Sequence, residues 1–291
     1  MKHWFCLVLF LISPGLSSAP LEIQIDYRPQ PGRITTVESQ AEVIATSRVI
    51  KDRGFASESA NAPKSEATTS HIIYREKSRF TAAPLKEDGS FQLLVEKLQD
   101  ESAFRLLDGS EIPNEQHESN VGYFLEALIS ASWKVDLRRF SWPSADPKHK
   151  ALIRETATSA LNQVLATQPI QLSAGKSAMQ VMNLQLPVMD IAVLGVEVNI
   201  SNTLLKVEGG VAHVQLVYQM NFSIPQGPYK IAAEGTGGGL LQYDLEARAP
   251  RTFRSSSFMT VTTQGPEGTV ETKLQMLSTD RTFVRVPEGT R

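Results

Sequence analysis

Residues 203–222 read TLLKVEGGVAHVQLVYQMNF, and this stretch decides the fold class of the chain. Apolar and polar side chains alternate after Gly209-Gly210, which puts four apolar ones on one face: Val214, Leu216, Tyr218 and Met220. Alternation with a period of two is typical of a strand with one buried face. A Gly-Gly pair can adopt the positive φ angles of a tight hairpin turn. The sequence therefore predicts an antiparallel hairpin that turns at Gly209-Gly210 and buries these four side chains.

The segments on either side extend the strand pattern along most of the chain. Residues 21–27 alternate apolar and polar side chains, and residues 34–51 favour strand. Beyond the hairpin, five more segments are predicted to be strands: 229–234, 239–248, 252–263, 269–278 and 282–286. Strands that follow one another through short turns pair antiparallel. Residues 56–70 are small and polar and predict a long mobile loop, whereas residues 121–132 fit either a helix or a strand.

One helix stands out among these strand segments. Asp146 is a good N-cap, and Pro147 suits the first helical position because its missing N–H costs nothing there. An apolar stripe at helical spacing follows, and Gln168-Pro169 ends it. We predict one long helix over 147–167. The predicted fold class is therefore α+β and mostly β: a curved antiparallel sheet, partly barrel-like, packed with that helix.

The first residues have the layout of a secretory signal peptide. Lys2 precedes an apolar run from Trp4 to Ile12, and small side chains follow up to Ala19. The run is about half the roughly 20 residues that span a bilayer. We therefore predict a signal peptide over 1–19 and a protein exported to the periplasm or the exterior. Residues 20–291 form a β-rich domain, and a division into halves of about 20–145 and 146–291 stays open.

Composition and charge narrow the classes of function. Cys6 lies in the signal peptide, so the mature chain has no cysteine and depends on core burial for stability. Loss of Lys2 leaves 28 basic and 31 acidic residues, a net charge of −3, which argues against a nucleic-acid partner. No stretch of the mature chain is apolar enough to be a transmembrane segment.

The sequence offers no catalytic or metal constellation. The histidines of the mature chain are not spaced as zinc ligands, and they are His71, His117, His149 and His213. No G-x-S-x-G elbow is present to hold a serine nucleophile. We therefore expect no enzyme activity, no cofactor and no metal.

Two glycine motifs resemble phosphate-binding loops. Gly175-Lys176-Ser177 would need a further glycine five residues before Gly175, where Ile170 stands, so we predict a turn. The run Gly235–Gly239 precedes a strand pattern instead of a helix, which a dinucleotide loop requires. We predict that this run is a bulge or a sharp bend in the sheet.

A cluster of aromatic and cationic side chains is the candidate interaction surface. It consists of Trp133, Arg138, Arg139, Phe140 and Trp142. Side chains of these types are enriched where proteins bind partners. The alternative is that Trp133, Val135 and Leu137 form an ordinary buried face of a strand.

The C-terminal part resembles an uncharacterised family of exported bacterial β-rich domains, a domain of unknown function. The resemblance covers residues 147–291 and follows the order of the helix, Pro169-Ile170, Gly175, Leu186-Pro187, Gly209-Gly210, Gly235-x-Gly237 and Tyr243-Asp244. It implies a bacterial envelope or secreted setting and no assigned activity.

Several predicted strands carry apolar side chains that one helix cannot cover. They are Met179, Met182, Leu184 and Leu186, then Val214, Leu216, Tyr218 and Met220, then Val270, Leu274 and Met276. We expect a non-enzymatic binding or carrier module for an apolar ligand or a partner, such as another envelope protein. The alternative is a structural or assembly component of the cell envelope with a closed core. An apolar cavity without convergent polar groups would favour the first.

Overall fold

The computed structural model describes residues 22–50, 67–143, 150–188, 192–226, 229–266 and 268–287. The predicted signal peptide over 1–19 lies outside these residues, as do Asp146 and Pro147. The elements are β1 (Glu22–Ile25), β2 (Arg33–Ile50), β3 (Thr68–Ala82), β4 (Phe91–Arg105), β5 (Glu111–Pro113), β6 (Phe124–Ile129), β7 (Val135–Ser141), α1 (Lys150–Ala166), β8 (Ile170–Ser173), β9 (Ser177–Val188), β10 (Ala192–Glu208), β11 (Val211–Gln226), β12 (Tyr229–Asp244), β13 (Ala249–Gly265) and β14 (Gly268–Arg285).

The hairpin predicted at Gly209-Gly210 joins β10 and β11. Glu208 pairs with Val211 across the turn, and both glycines have positive φ, 57° and 76°. Val214 is fully buried. The other three predicted core side chains, Leu216, Tyr218 and Met220, are only half-buried. The turn and register are therefore as predicted, but the buried face is incomplete.

We expect Gly210→Val to destabilise the fold by about 1–3 kcal/mol, because a β-branched residue resists positive φ. A Cβ at this position would meet no atom within 4 Å, so the cost comes from the backbone alone. Gly210→Asn is the matched control, since asparagine tolerates positive φ and should retain most of the stability. Urea unfolding measures both variants, and equal midpoints for Val and Asn would contradict the turn geometry.

Eleven strands form one continuous antiparallel path in the order β7-β6-β4-β3-β2-β14-β13-β12-β11-β10-β9, and β5 pairs with β4 beside it. β2 pairs with β14, so the sheet includes strands from both halves of the chain. Laid flat, these strands would span about 48 Å. Both end strands, β7 and β9, nevertheless contact α1, a helix only about 10 Å across. The sheet must therefore curl toward the helix. It stays open between β7 and β9 and does not close into a barrel.

The helix differs from the long element predicted over 147–167. It is described only over Lys150–Ala166, a short element beside a sheet of this width. Leu165 is buried, and Ala157 and Leu161 pack against the same cluster. Val164, which the stripe also included, is 40% exposed. The apolar face is thus narrower than the sequence pattern indicates, because only one side of the helix meets the sheet.

Polar side chains of α1 bind the free edge of β7. The Asn162 Oδ1 accepts a hydrogen bond from the Val135 N–H at 3.1 Å. The Arg154 guanidinium donates to the Leu137 carbonyl at 3.1 Å. Edge strands present unpaired backbone groups that attract other chains. The helix therefore protects this edge as well as covering apolar side chains.

Three other sequence assignments are settled or corrected by the strands. Residues 124–129 are strand β6, which resolves the ambiguous stretch at 121–132. Strand β3 already begins at Thr68, inside the segment predicted as a loop. The glycine run lies in the regular part of β12, and the bulge lies beyond it, between Gln242 and Tyr243. The prediction of a bulge at the glycines is therefore wrong.

Two hydrophobic clusters lie on one face of the sheet, which we call the inner face. The first cluster places the β1–β8 ribbon on β10 to β12 and includes Ile25, Leu172 and Val214. The second places α1 on β4, β6 and β7 around Phe91 and Leu165. The opposite face is the outer face. In the part of the chain described, the helix is not long and apolar enough to cross a membrane.

Tyr243 anchors the β1–β8 ribbon to the sheet. Its hydroxyl donates to the Asp26 carbonyl at 3.0 Å and accepts from the Asp26 N–H at 3.2 Å. Burial raises the pKa of Tyr243, and the hydrogen bond to Asp26 opposes that rise. One buried phenol thus joins the segment after β1 to β12.

Candidate functional site

The inner face carries little charge across six neighbouring strands. Among the described side chains of β10 to β14 and β2, the inner-face positions carry two charged groups: Asp280 on β14, and Arg33 at the start of β2. Burial raises the pKa of Asp280, and the nearby Glu76 adds to this rise. A ligand on this face would therefore meet almost no fixed charge.

On the same face, apolar side chains also occupy the parts of the strands that lie beyond the two clusters. Met220, Gly235, Met259 and Leu274 form one cross-strand row. Met276 and Val270 on β14 are 37% and 38% exposed. Both side chains therefore remain open to contact from the inner side.

Glycines in β12 make room for two aromatic rings on the inner face. A Cβ at Gly237 would lie 2.4 Å from the Tyr218 ring, so this ring lies directly over the glycine. A Cβ at Gly239 would lie 2.7 Å from the Phe253 ring and 2.5 Å from the Arg254 carbonyl. The glycines therefore serve close packing inside a sheet. The sequence signal for this packing role is the alternation of Gly235, Gly237 and Gly239, which places all three on one face of the strand.

The outer face carries charged side chains throughout, and exposed apolar side chains accompany them on one part of it. Cross-strand ion pairs lie on β2, β3, β4 and their neighbours: Lys77–Glu38, Arg79–Glu96, Arg105–Glu42 and Arg75–Glu111. On β11 to β14 four apolar side chains are exposed among charged ones: Val217, Leu240, Phe258 and Leu277. Met179 lies on this outer face too, 68% exposed, opposite Ser201. It therefore does not join the apolar residues of the inner face.

Two shallow grooves lie between rows of side chains on the outer face. One, of about 560 Å³, runs past Ile34, Arg79 and Phe283. The other, of about 510 Å³, runs past Glu234, Phe258 and Lys273. Both mix charged and apolar lining. Neither is the enclosed apolar cavity that a buried small ligand would need.

Trp133, the first residue of the predicted interaction surface, lies in the turn between β6 and β7. Its φ is 63°, in the left-handed region. Its ring meets Phe91 edge-on at 5.7 Å, and the Arg28 guanidinium lies 4.2 Å from its centroid. Arg28 also forms an ion pair with Asp26 at 2.7 Å. Trp133 thus connects the α1 cluster to the segment after β1.

The remaining predicted residues lie on β7 and its end, on both faces. Arg139 is on the outer face near Glu126, and the Arg138–Asp136 ion pair is exposed. Phe140 packs against Tyr123 at 5.8 Å. Trp142 lies 5.3 Å from the same ring. Burial raises the pKa of Tyr123 to about 12. The two arginines and the two aromatic side chains thus face different surroundings, and a role in binding a partner stays a prediction.

Two described histidines lie beside different carboxylates. His117 Nε2 lies 3.0 Å from Asp100, whose carboxylate also accepts from the Asn120 N–H at 2.7 Å. His71 lies 3.5 Å from Glu42, and His149 is outside the described residues. Within the described ranges, no three His, Cys, Asp or Glu side chains are grouped to hold a metal ion.

Comparisons with known proteins add little to this geometry. No protein-family model matches the chain, and no curated protein does. Among solved structures, a chain of the T2SS secretin XcpQ from Pseudomonas aeruginosa, determined by cryo-EM, is similar at 12% identity with a TM-score of 0.17. The match covers 88% of this chain and 58% of that chain. A similarity of this size carries no argument about fold or function, and the family resemblance stays an expectation.

Proposed function

We propose that this chain is an exported, non-enzymatic binding or carrier module that takes up an apolar ligand against the inner face of its sheet. The observation that carries the proposal is the largely apolar inner face of β10 to β14, where Asp280 is the one described charged group and Val270 and Met276 remain exposed. The signal-peptide pattern at 1–19 supports a location outside the cytoplasm.

An apolar ligand suits this face for energetic reasons. Removing apolar area from water contributes roughly 25 cal/mol per Å². An anionic ligand on β10 to β14 would have to leave water without a counter-ion, which costs far more than this area returns. Met220, Met259 and Met276 lie in two neighbouring cross-strand rows of this face, and flexible thioether side chains adapt to ligands of varied shape.

A structural or assembly role is the second candidate. It is favoured by the exposed apolar side chains of the outer face, Val217, Leu240, Phe258 and Leu277. Aromatic side chains such as Phe258 are enriched at the centre of protein interfaces. Ligand binding on the inner face and assembly through the outer face predict different effects of substitution.

The two candidates are separated by a pair of neighbouring substitutions on β14. Met276 faces inward and Leu277 outward, and the two are 37% and 44% exposed. We expect Met276→Lys to weaken binding of an apolar environment-sensitive dye by at least about tenfold, because an unpaired ammonium would lie among the apolar side chains of the inner face. Leu277→Lys should leave dye affinity within about twofold. Fluorescence titration measures both, and native mass spectrometry of protein from its own host detects bound lipid-like mass.

Equal loss of dye binding in both variants, or no saturable signal in the natural protein, would contradict the carrier proposal. A change of oligomeric state in Leu277→Lys alone, with no dye binding in any variant, would favour the assembly role.

A further inference from the structure

Asn202 is a buried amide without a partner in the inner face. Its side chain is 1% exposed, and neither Nδ2 nor Oδ1 has a hydrogen-bond partner among the described residues. It lies on β10 between Ala178 of β9 and Leu216 of β11. An unpaired buried polar group costs free energy, so native proteins rarely keep one without a reason.

The surroundings of Asn202 continue into the charge-poor inner face of β11 to β14 described above. Its row crosses Leu216 and Gly239 and reaches Ser255, whose hydroxyl lies 2.7 Å from that of Ser278. The next row carries Tyr218 over Gly237. The row therefore offers neutral hydrogen-bonding groups amid apolar side chains, and no described cation lies in it to bind an anion.

The β1–β8 ribbon and the turn after β8 lie over this part of β10. The Gly175 N–H donates to the Leu204 carbonyl at 3.4 Å, and Ala174 bridges Leu204, two residues from Asn202. Among the described strands, β1 and β8 pair only with each other, and each is four residues long. The Tyr27 hydroxyl, just after β1, is also buried without a partner. The ribbon is therefore a small cover that leaves polar groups unsatisfied when it is seated.

We propose that Asn202 is the polar recognition point of the inner-face site, where its carboxamide binds the uncharged hydroxyl or amide headgroup of an amphiphile once the ribbon moves aside. The amide offers both a donor and an acceptor, which such a headgroup can satisfy together. The apolar chain of the amphiphile lies along the inner face, in the direction of Met259 and Met276. This inference rests on the proposed carrier function and names its ligand class.

Asn202→Leu should have opposite effects on stability and on ligand affinity. Removal of the unpaired amide should raise the melting midpoint by about 2–4 °C. The affinity for 1-monooleoylglycerol should fall about tenfold, the loss of one well-made hydrogen bond. The affinity for oleate, which has the same chain and a charged headgroup, should be lower in the natural protein and unchanged by the substitution. Asn221→Leu, on the outer face of β11, is the matched control and should alter neither lipid affinity.

Tyr243→Phe tests the ribbon as the cover. It removes the hydroxyl that holds Asp26, so 1-monooleoylglycerol should associate several times faster in stopped-flow measurements. An unchanged association rate would overturn the role of the ribbon.

A lower melting midpoint for Asn202→Leu, or an unchanged affinity for 1-monooleoylglycerol, would overturn the role of Asn202. Saturable dye binding without 1-monooleoylglycerol binding would overturn this inference and leave the carrier function standing. Absence of binding for every probe would overturn the carrier function and this inference together.

Discussion

Gly239→Ala is expected to destabilise the fold by about 3 kcal/mol or more. The new Cβ would lie 2.5 Å from the Arg254 carbonyl oxygen and 2.7 Å from the Phe253 ring. The carbonyl belongs to the paired backbone of β13 and cannot rotate away, so the strands would have to separate locally. Urea unfolding followed by tryptophan fluorescence measures the effect.

Gly237→Ala is the matched control two residues away. The three atoms nearest to its new Cβ all belong to the Tyr218 side chain, the closest at 2.4 Å. Tyr218→Ala should therefore remove most of the cost of Gly237→Ala, whereas Phe253→Ala should not rescue Gly239→Ala. A cost below about 0.5 kcal/mol for Gly239→Ala would show that the two strands are not so closely packed.

Leu165→Ala should destabilise the fold by about 2–5 kcal/mol, the usual cost of emptying a buried leucine site. Leu165 is 1% exposed, at the centre of the contact between α1 and the sheet. Loss of this contact should also loosen the hydrogen bond from the Val135 N–H to Asn162. Thermal unfolding measures the stability, and hydrogen exchange at Val135 measures the protection of the β7 edge.

Val164→Ala serves as the control, because the neighbouring valine is 40% exposed. It should change stability by less than about 1 kcal/mol and leave exchange at Val135 unchanged. Similar losses in both variants would mean that α1 does not sit on the sheet through Leu165.

Local patterns in the sequence predicted the elements better than they predicted the surfaces. The Gly209-Gly210 hairpin depends on a few neighbouring residues, so alternation and turn chemistry identified it. The same reasoning misread the glycines of β12, because their role depends on Tyr218 and Phe253 in two other strands. It also expected a longer helix, because helical periodicity does not show how much of a stripe meets the sheet.

The candidate site could not be predicted from the sequence for the same reason. The low charge of the inner face depends on which alternate residues of six strands point to the same side of the sheet. The pairing register of the strands determines this. Asn202 gave no sequence signal, because an asparagine in a strand is ordinary until its neighbours are known. The predicted aromatic and cationic cluster illustrates the converse: residues close in sequence on β7 alternate between opposite faces.

The pairing of β2 with β14 has a consequence for the order in which the chain folds. Strands β2 to β7 connect to one another through nearby neighbours, and so do β9 to β14. Each group can assemble as a meander of local hairpins soon after its residues are made. The seam between them joins Thr35 to Val284, near opposite ends of the chain, and β1 must likewise wait for β8. Closing such long loops is slow relative to forming hairpins. The edge of β2 therefore stays unpaired until β14 is available, and before that stage a chaperone or a second unfolded chain would find it.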